Sequence, residues 1–213
     1  MARSQEGSAY PLETSIVYNR ALDEVCASDS IRLILVGDNP GKDEQRAHNR
    51  RYLVGQAGKL AEGFFRKNTE LNTDFRKDVI ILNKTPIHTA KTRQLALLQR
   101  SGGIQFQQFF DKTLVWMARE TATLRQKLGC GLWIVGYSEL RPKGLFAPYA
   151  RELGEACNAT QISARDDNEI LLFQHFSMNR FTIDLHERYE TDRTLTENLA
   201  ATGIAHRKEV LGW

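Results

Sequence analysis

The run Ile31-Arg32-Leu33-Ile34-Leu35-Val36 stops abruptly in Gly37-Asp38-Asn39-Pro40-Gly41, a turn of small and polar residues. An apolar run this short and this rich in Ile, Leu and Val reads as a strand buried on both faces, as in a parallel sheet. Gly37 and Gly41 allow backbone angles that a Cβ resists, and Pro40 stiffens the turn between them. Ligands of open parallel sheets bind just beyond the carboxyl ends of the strands, which is where Asp38 and Asn39 fall. Taken alone, the segment is an ordinary strand-to-helix turn.

The rest of the chain repeats the arrangement. Val79-Ile80-Ile81-Leu82 is a second apolar run, ended by Asn83-Lys84-Thr85-Pro86, and Pro86 turns Thr85 away from helix. Leu132-Trp133-Ile134-Val135-Gly136 is a third; Ile170-Leu171-Leu172-Phe173-Gln174, ending at His175, is a fourth. Helical patterns lie around and between them. Tyr10 to Ala27 carries Tyr18, Leu22 and Val25 on one face, and a helix from Lys59 carries Leu60, Phe64 and Phe65. Ser101-Gly102-Gly103 opens the longest helix, in which Phe110, Leu114, Met117, Thr121, Leu124 and Leu128 recur at helical spacing as a core stripe. Leu145, Phe146, Tyr149, Ala150 and Leu153 mark a further helix. Thr194-x-x-Glu197 is a capping-box pattern for a closing helix with Leu195 and Leu199, which Gly203 is able to stop. Strands alternating with helices predict a three-layer α/β/α fold around a four-stranded parallel sheet. No linker, repeat or low-complexity stretch interrupts the 213 residues. One domain is expected, with its core over about 31–180, an N-terminal helix over 10–27 and a C-terminal helix over about 192–203.

Composition removes other classes. The chain is 41% hydrophobic and 26% charged, and no apolar run approaches the roughly 20 residues that span a bilayer. Met1 to Pro11 is polar and lacks the apolar centre of a secretory signal. Cys26, Cys130 and Cys157 are odd in number, widely spaced and form no C-x-x-C pair, which fits reduced thiols rather than disulfides or a metal–sulfur site. A cytoplasmic, monomeric protein with no membrane partner is expected. Net charge is only +3 but unevenly placed: the first and last thirty residues together carry −5, leaving +8 for residues 31–183. Lys84, Lys91, Arg93 and Arg100 occupy a stretch without a single acid, and Arg46, Arg50 and Arg51 cluster around His48. Such clusters suit a polyanionic ligand, and equally a solvated surface.

In a parallel sheet, Gly37–Gly41, Leu82–Lys84 and His175-Phe176-Ser177-Met178-Asn179-Arg180 converge at one edge. A lone His after a strand is more often a hydrogen-bonded structural residue, and an Asn commonly terminates a strand. Together and in this order, the segments resemble the uracil-DNA glycosylase superfamily. Its first motif, a strand ending in Gly-x-(Asn/Asp/Ala)-Pro-(Gly/Tyr), is matched by Gly37-Asp38-Asn39-Pro40-Gly41. A segment like Phe-Val-Gly-x-Ala-Gly-x-Leu, found in several branches, is matched by Leu53-Val54-Gly55-Gln56-Ala57-Gly58-Lys59-Leu60. The Asn that ends the second strand is matched by Asn83, and His-Pro-Ser-x-x-Asn by His175-Phe176-Ser177-Met178-Asn179, with Phe in place of Pro.

The resemblance implies a base-excision-repair enzyme that hydrolyses the N-glycosidic bond of uracil, or of a related deaminated base such as hypoxanthine, in single- or double-stranded DNA, leaving an abasic site. It implies catalytic roles for Asp38, Asn39 and His175. Asp38 would act as general base and Asn39 would orient water, their relative shares being open, while His175 would stabilise the departing base. Asn83, Tyr52, Leu53 and Gly37 would hold the base. Ser177, Met178, Asn179, Arg180, Lys84, Arg50 and Arg51 would contact DNA, with Met178 as a wedge in the base stack. Departures mark an atypical branch. The three cysteines cannot supply the four ligands of the iron–sulfur branch, so no cofactor or metal is expected. Leu53 stands where relatives stack a Phe on the base, and Phe176 replaces a stiffening Pro. Two other readings remain open here: a non-catalytic reader of damaged or other nucleic acid with a degenerate pocket, and a nucleotide-binding enzyme that cradles phosphate on Gly37–Gly41. The second lacks both the P-loop and the dinucleotide-binding glycine signatures.

Overall fold

Alternate residues of the four apolar runs point to opposite sides of the sheet, and each side finds its own helices. In the computed structural model, which describes residues 10–159 and 170–213, the strands are β1 (Leu33–Gly37), β2 (Val79–Asn83), β3 (Gly131–Val135) and β4 (Ile170–Phe173). All pair in parallel, in the order β2-β1-β3-β4. The helices are α1 (Gln56–Lys67), α2 (Thr92–Ser101), α3 (Gly103–Leu128), α4 (Ala147–Ala159), α5 (Arg180–Glu187) and α6 (Leu195–Leu211). Ile34, Val36, Ile80, Leu82, Leu132 and Ile134 pack on Leu95 of α2, the Phe110–Leu114–Met117 stripe of α3 and Tyr149 and Leu153 of α4. Leu33, Leu35, Val79, Ile81, Trp133 and Phe173 pack on Phe64 and Phe65 of α1, Phe181 and Leu185 of α5 and Leu195 and Leu199 of α6. The result is the three-layer α/β/α fold expected. From β1 the chain runs through α1 to β2, on one side; from β2 it crosses back over β1 to β3, on the other. The strand order therefore reverses between β1 and β3, and the loops leaving those two strands part to open a crevice.

Two expectations for the helices are corrected. The segment 10–27 is not a helix: a single 3₁₀ turn at Arg20–Glu24 follows an extended strap. Ile16 bridges Ile87 in antiparallel fashion, Val17 N–H donates to Pro86 O at 2.9 Å, and His88 N–H donates to Ser15 O at 2.8 Å. Val17 and Asn19 are buried while Tyr18 and Val25 are exposed, a period of two rather than 3.6. The buried Asn19 amide donates to Ile81 O at 2.8 Å and anchors the strap against β2. Gly203 does not stop the last helix, which runs to Leu211 and is closed by Gly212. A Cβ at Gly203 would lie 2.6 Å from Leu171 Cβ, so this glycine serves the close approach of α6 to β4. Helices α2 and α5 fall in segments to which the sequence pattern assigns no element, because each presents only a few inward residues, Leu95 in one and Phe181, Asp184 and Leu185 in the other. Asp184 is buried and pairs with His206 of α6. Among the described residues no helix is long and apolar enough to cross a membrane.

Candidate active site

At the carboxyl ends of the strands lies a cavity of about 420 Å³. Its walls are the turn after β1, the segment Leu53–Ala57 entering α1, Asn83 at the end of β2, the segment Thr89–Thr92 entering α2, and His175 and Ser177 after β4. These segments are far apart in sequence, and the parallel register brings them together. Gly37 pairs with Asn83, and Gly136 N–H donates to Phe173 O at 2.9 Å, so the four strand ends lie nearly level.

Asp38 stands at the crevice between β1 and β3. Its Oδ1 accepts from Lys84 Nζ at 2.7 Å, and Oδ2 has only a 3.5 Å contact with the Thr92 hydroxyl. The carboxylate lies over Gly136, where a Cβ would meet Oδ1 at 2.5 Å and Oδ2 at 2.9 Å. Gly136 also has φ +85°, so the position requires glycine for both space and backbone. Lys84 is corrected from DNA contact to buried cation. Its side chain is 0% exposed, and its ammonium donates to Asp38 Oδ1, to Val135 O at 2.7 Å and to Gly37 O at 3.3 Å. Burial pulls its pKa down, while the charge of Asp38 and their hydrogen bond hold it up. A lysine fully withdrawn from water needs such partners, and the ends of β1 and β3 supply them.

Asn39 is bound on both sides of its amide. Nδ2 donates to Thr89 Oγ1 at 3.0 Å and to Thr89 O and Pro40 O at 3.2 Å, while Oδ1 accepts from Thr92 Oγ1 at 3.2 Å. It braces the turn after β1 against the entry to α2. His88 strengthens the same brace, its Nδ1 lying 2.8 Å from Pro40 O.

Asn83 is 2% exposed, and its Nδ2 is buried with no hydrogen-bond partner. Its Oδ1 lies over Gly37, 2.6 Å from where a Cβ would be, so Gly37 makes room for the amide instead of touching a ligand itself. Leaving a buried donor unpaired costs roughly 1–3 kcal/mol.

His175 Nδ1 accepts from the Ser177 backbone N–H at 3.1 Å, and Ser177 Oγ lies 2.8 Å away. A ring nitrogen that accepts a backbone N–H is unprotonated, so the neutral imidazole carries its proton on Nε2. Burial lowers the imidazole pKa, Asp38 opposes that shift and Lys84 adds to it. The group is therefore a neutral donor at pH 7.

The segment after His175 has an aromatic root and an exposed tip. Phe176 is buried, and its ring stacks on Phe181 at 4.2 Å and 16°, with Phe64 at 6.3 Å. The ring anchors the start of the segment in the core. Met178 and Asn179 follow with φ of +54° and +56°, the left-handed region that side chains disfavour, and Met178 is 85% exposed. Arg180 is exposed at the first turn of α5.

Other expected residues lie elsewhere. Tyr52 is corrected from base contact to core residue: its hydroxyl donates to Val17 O at 2.8 Å and its ring packs among Val17, Leu53 and α1. Arg51 pairs with Glu24 of the strap, away from the cavity. Arg50 turns the chain in a left-handed conformation, and its carbonyl accepts from Arg20 N–H at 2.8 Å. Leu53 does reach the cavity, with φ +51°. Sequence reasoning missed Glu44, which lines the cavity while almost fully buried. It accepts from Gly41 N–H at 2.8 Å, and backbone hydrogen bonds from Leu53 and Val54 reach it too. Burial outweighs these bonds and pushes its pKa up to about 7. The spacing Gly41-x-x-Glu44, a turn closed by a carboxylate, was the available signal.

Among the described residues no cluster of His, Cys, Asp and Glu is arranged to hold a metal ion. Comparison with protein-family models, with curated proteins and with solved structures gives no match. The functional reading therefore rests on the residues themselves.

Proposed function

We propose that this chain is a monofunctional DNA glycosylase that hydrolyses the N-glycosidic bond of uracil or a related deaminated base. The observation that carries the reading is the unpartnered Asn83 amide, almost wholly buried, in the same cavity as Asp38 and His175. A flipped uracil offers Asn83 what it lacks: O4 accepts from Nδ2, and N3–H donates to Oδ1. Cytosine presents the reverse pattern and leaves the buried amide unpaired, at a cost of roughly 1–3 kcal/mol per group.

Asp38 and Asn39 then divide their work. The Asn39 amide is committed to Thr89, Pro40 and Thr92, so it braces the turn and does not handle water. Asp38 keeps Oδ2 available, held by Lys84 through Oδ1, to take a proton from the attacking water and to face the cationic sugar. His175 donates Nε2–H to O2 of the departing base. As the base leaves it becomes anionic, and a preorganised neutral donor stabilises that charge in a partly dry site. Met178, on its strained turn, serves as the apolar wedge beside the opened base step, with Ser177, Asn179 and Arg180 facing the backbone. Lys84 has all three ammonium hydrogens engaged. It offers no lone pair for a Schiff base, and borohydride is expected to trap no protein–DNA adduct.

The test uses single- and double-stranded oligonucleotides containing uracil, hypoxanthine or xanthine, followed by alkali. Strand breaks from at least one lesion, lost in Asn83→Ala and His175→Ala, are the expected result; none above those controls sinks the reading. One observation favours a second reading, a non-catalytic nucleic-acid binder: the apolar wall is Leu53, Ala57 and Ala90, with no Phe, Tyr or Trp among the lining residues. Binding that survives without cleavage, and falls steeply with salt, would select it.

A further inference from the structure

We propose that Lys84 is the positioning residue of this site, a buried ammonium that holds Asp38 with Oδ2 toward the cavity and ties the ends of β1, β2 and β3 together. The inference rests on reading the cavity as a glycosylase site, and goes beyond it by giving Lys84 a role that neither DNA contact nor nucleophilic chemistry supplies.

The geometry is specific. Lys84 is the residue immediately after β2, Gly37 ends β1 and Val135 ends β3. One ammonium binds a carbonyl from each of the latter two and the carboxylate that follows β1. The Phe146 ring closes it in, with Nζ 5.3 Å from the ring centre. A compact ammonium satisfies three acceptors in divergent directions, which a planar guanidinium does not. With Oδ1 bound and Gly136 beneath the carboxylate, the Asp38 side chain has one orientation, and Oδ2 is the oxygen left for water. The same charge acts on His175: an unneutralised Asp38 would favour the imidazolium, and Lys84 opposes this. The other charged groups at the cavity are Lys42, Asp43, Glu44 and Lys91. They remain in every variant below.

The experiment compares wild type, Lys84→Met and the Asp38→Asn/Lys84→Met double variant. His175 titration is followed by NMR of the imidazole, and single-turnover base release is followed on the lesion that wild type cleaves. Lys84→Met is expected to raise the His175 midpoint by about one pH unit, and to lower the release rate about 100-fold. In the double variant, where both charges are gone, the midpoint is expected to return toward wild type. A folded Lys84→Met protein with an unmoved His175 midpoint, or with undiminished release, overturns the proposal. If Lys84→Met fails to fold but the double variant folds, the need for Lys84 is set by the Asp38 charge, as proposed. If both fail, Lys84 is a strand-end staple irrespective of Asp38, and the positioning role is wrong. Reductive methylation of the native protein gives a further arm: Lys84 is expected to stay unmodified while Lys42 and Lys91 react, and modification of Lys84 at their rate overturns the proposal. Should wild type release no base at all, the glycosylase reading fails, while the titration and methylation arms still decide whether Lys84 governs Asp38.

Discussion

Two buried acid–base pairs among the described residues differ in what surrounds them, and only one lines a cavity. Asp38 and Lys84 meet at 2.7 Å at the strand ends, and Asp184 and His206 at 2.8 Å between α5 and α6. Both bases are withdrawn from water. The difference lies in the carboxylate. Asp184 gives one oxygen to His206, and its other lies 3.5 Å from Arg188, while the Tyr137 ring packs on His206 at 4.7 Å. Asp38 commits Oδ1 and keeps Oδ2 toward an open cavity that also holds the unpaired Asn83 amide. Burial and ion pairing are common to structural and functional groups. Each pair leaves a position unfilled, Asp38 Oδ2 in one and the buried His206 Nδ1 in the other; what separates them is that only the first faces a cavity.

Substitution at the two aspartates tests that separation most strongly. Asp38→Asn is expected to lower base release by about 10²- to 10⁴-fold with secondary structure intact, read by single-turnover kinetics and circular dichroism. Asp184→Asn is expected to leave release unchanged and to cost about 3 kcal/mol of stability, read from urea unfolding. An equal loss of activity in both variants would erase the distinction.

Glu44 offers a pH test of the same idea, with an effect of up to about 3 kcal/mol. Its pKa rises on folding from 4.5 to about 7, so the folded state favours its protonated form. That contribution is complete below pH 4.5 and is lost as pH rises through 7. Relative to Glu44→Gln, wild type is expected to lose stability between pH 5 and pH 8.5, measured by urea unfolding at each pH. A pH-independent difference would contradict the burial that raises this carboxyl.

The remaining effects are smaller. Gly203→Ala brings a methyl against Leu171 on the structural side and is expected to cost about 1–3 kcal/mol, with cleavage kept. Met178→Ala touches only the exposed tip, so stability should stay within about 0.5 kcal/mol while affinity for damaged duplex drops a few-fold. A stability loss there would place Met178 in the packing of its own loop.

The sheet was legible because its signal is local. Runs such as Val79–Leu82 are too short for helices and carry no polar residue, so burial on both faces follows from the sequence, as does the clustering of their carboxyl-end loops. Asn83, the first polar residue after such a run, and His175, one position beyond Gln174, were legible for the same reason. The strap at 10–27 was misread because its apolar residues satisfy a helical spacing by coincidence. Its backbone partners, Pro86 and His88, are some seventy residues away and invisible to any window. Tyr52 and Lys84 show the same limit. Each sits beside a motif residue, yet adjacent residues on extended or turning backbone point in different directions, so proximity in sequence did not carry Tyr52 into the cavity with Leu53.

What the sequence determined by itself was the alternation of strands and helices, the edge of the sheet at which function would gather, and the residue types present there. What only tertiary structure decided was which of their hydrogen-bonding positions are already taken. Lys84 reaches Asp38 across 46 residues and Val135 across 51, and Asn39 is bound by Thr89 across 50. A side chain is a functional group only in whatever capacity its neighbours leave unsatisfied, and those neighbours are chosen by the packing of the whole chain.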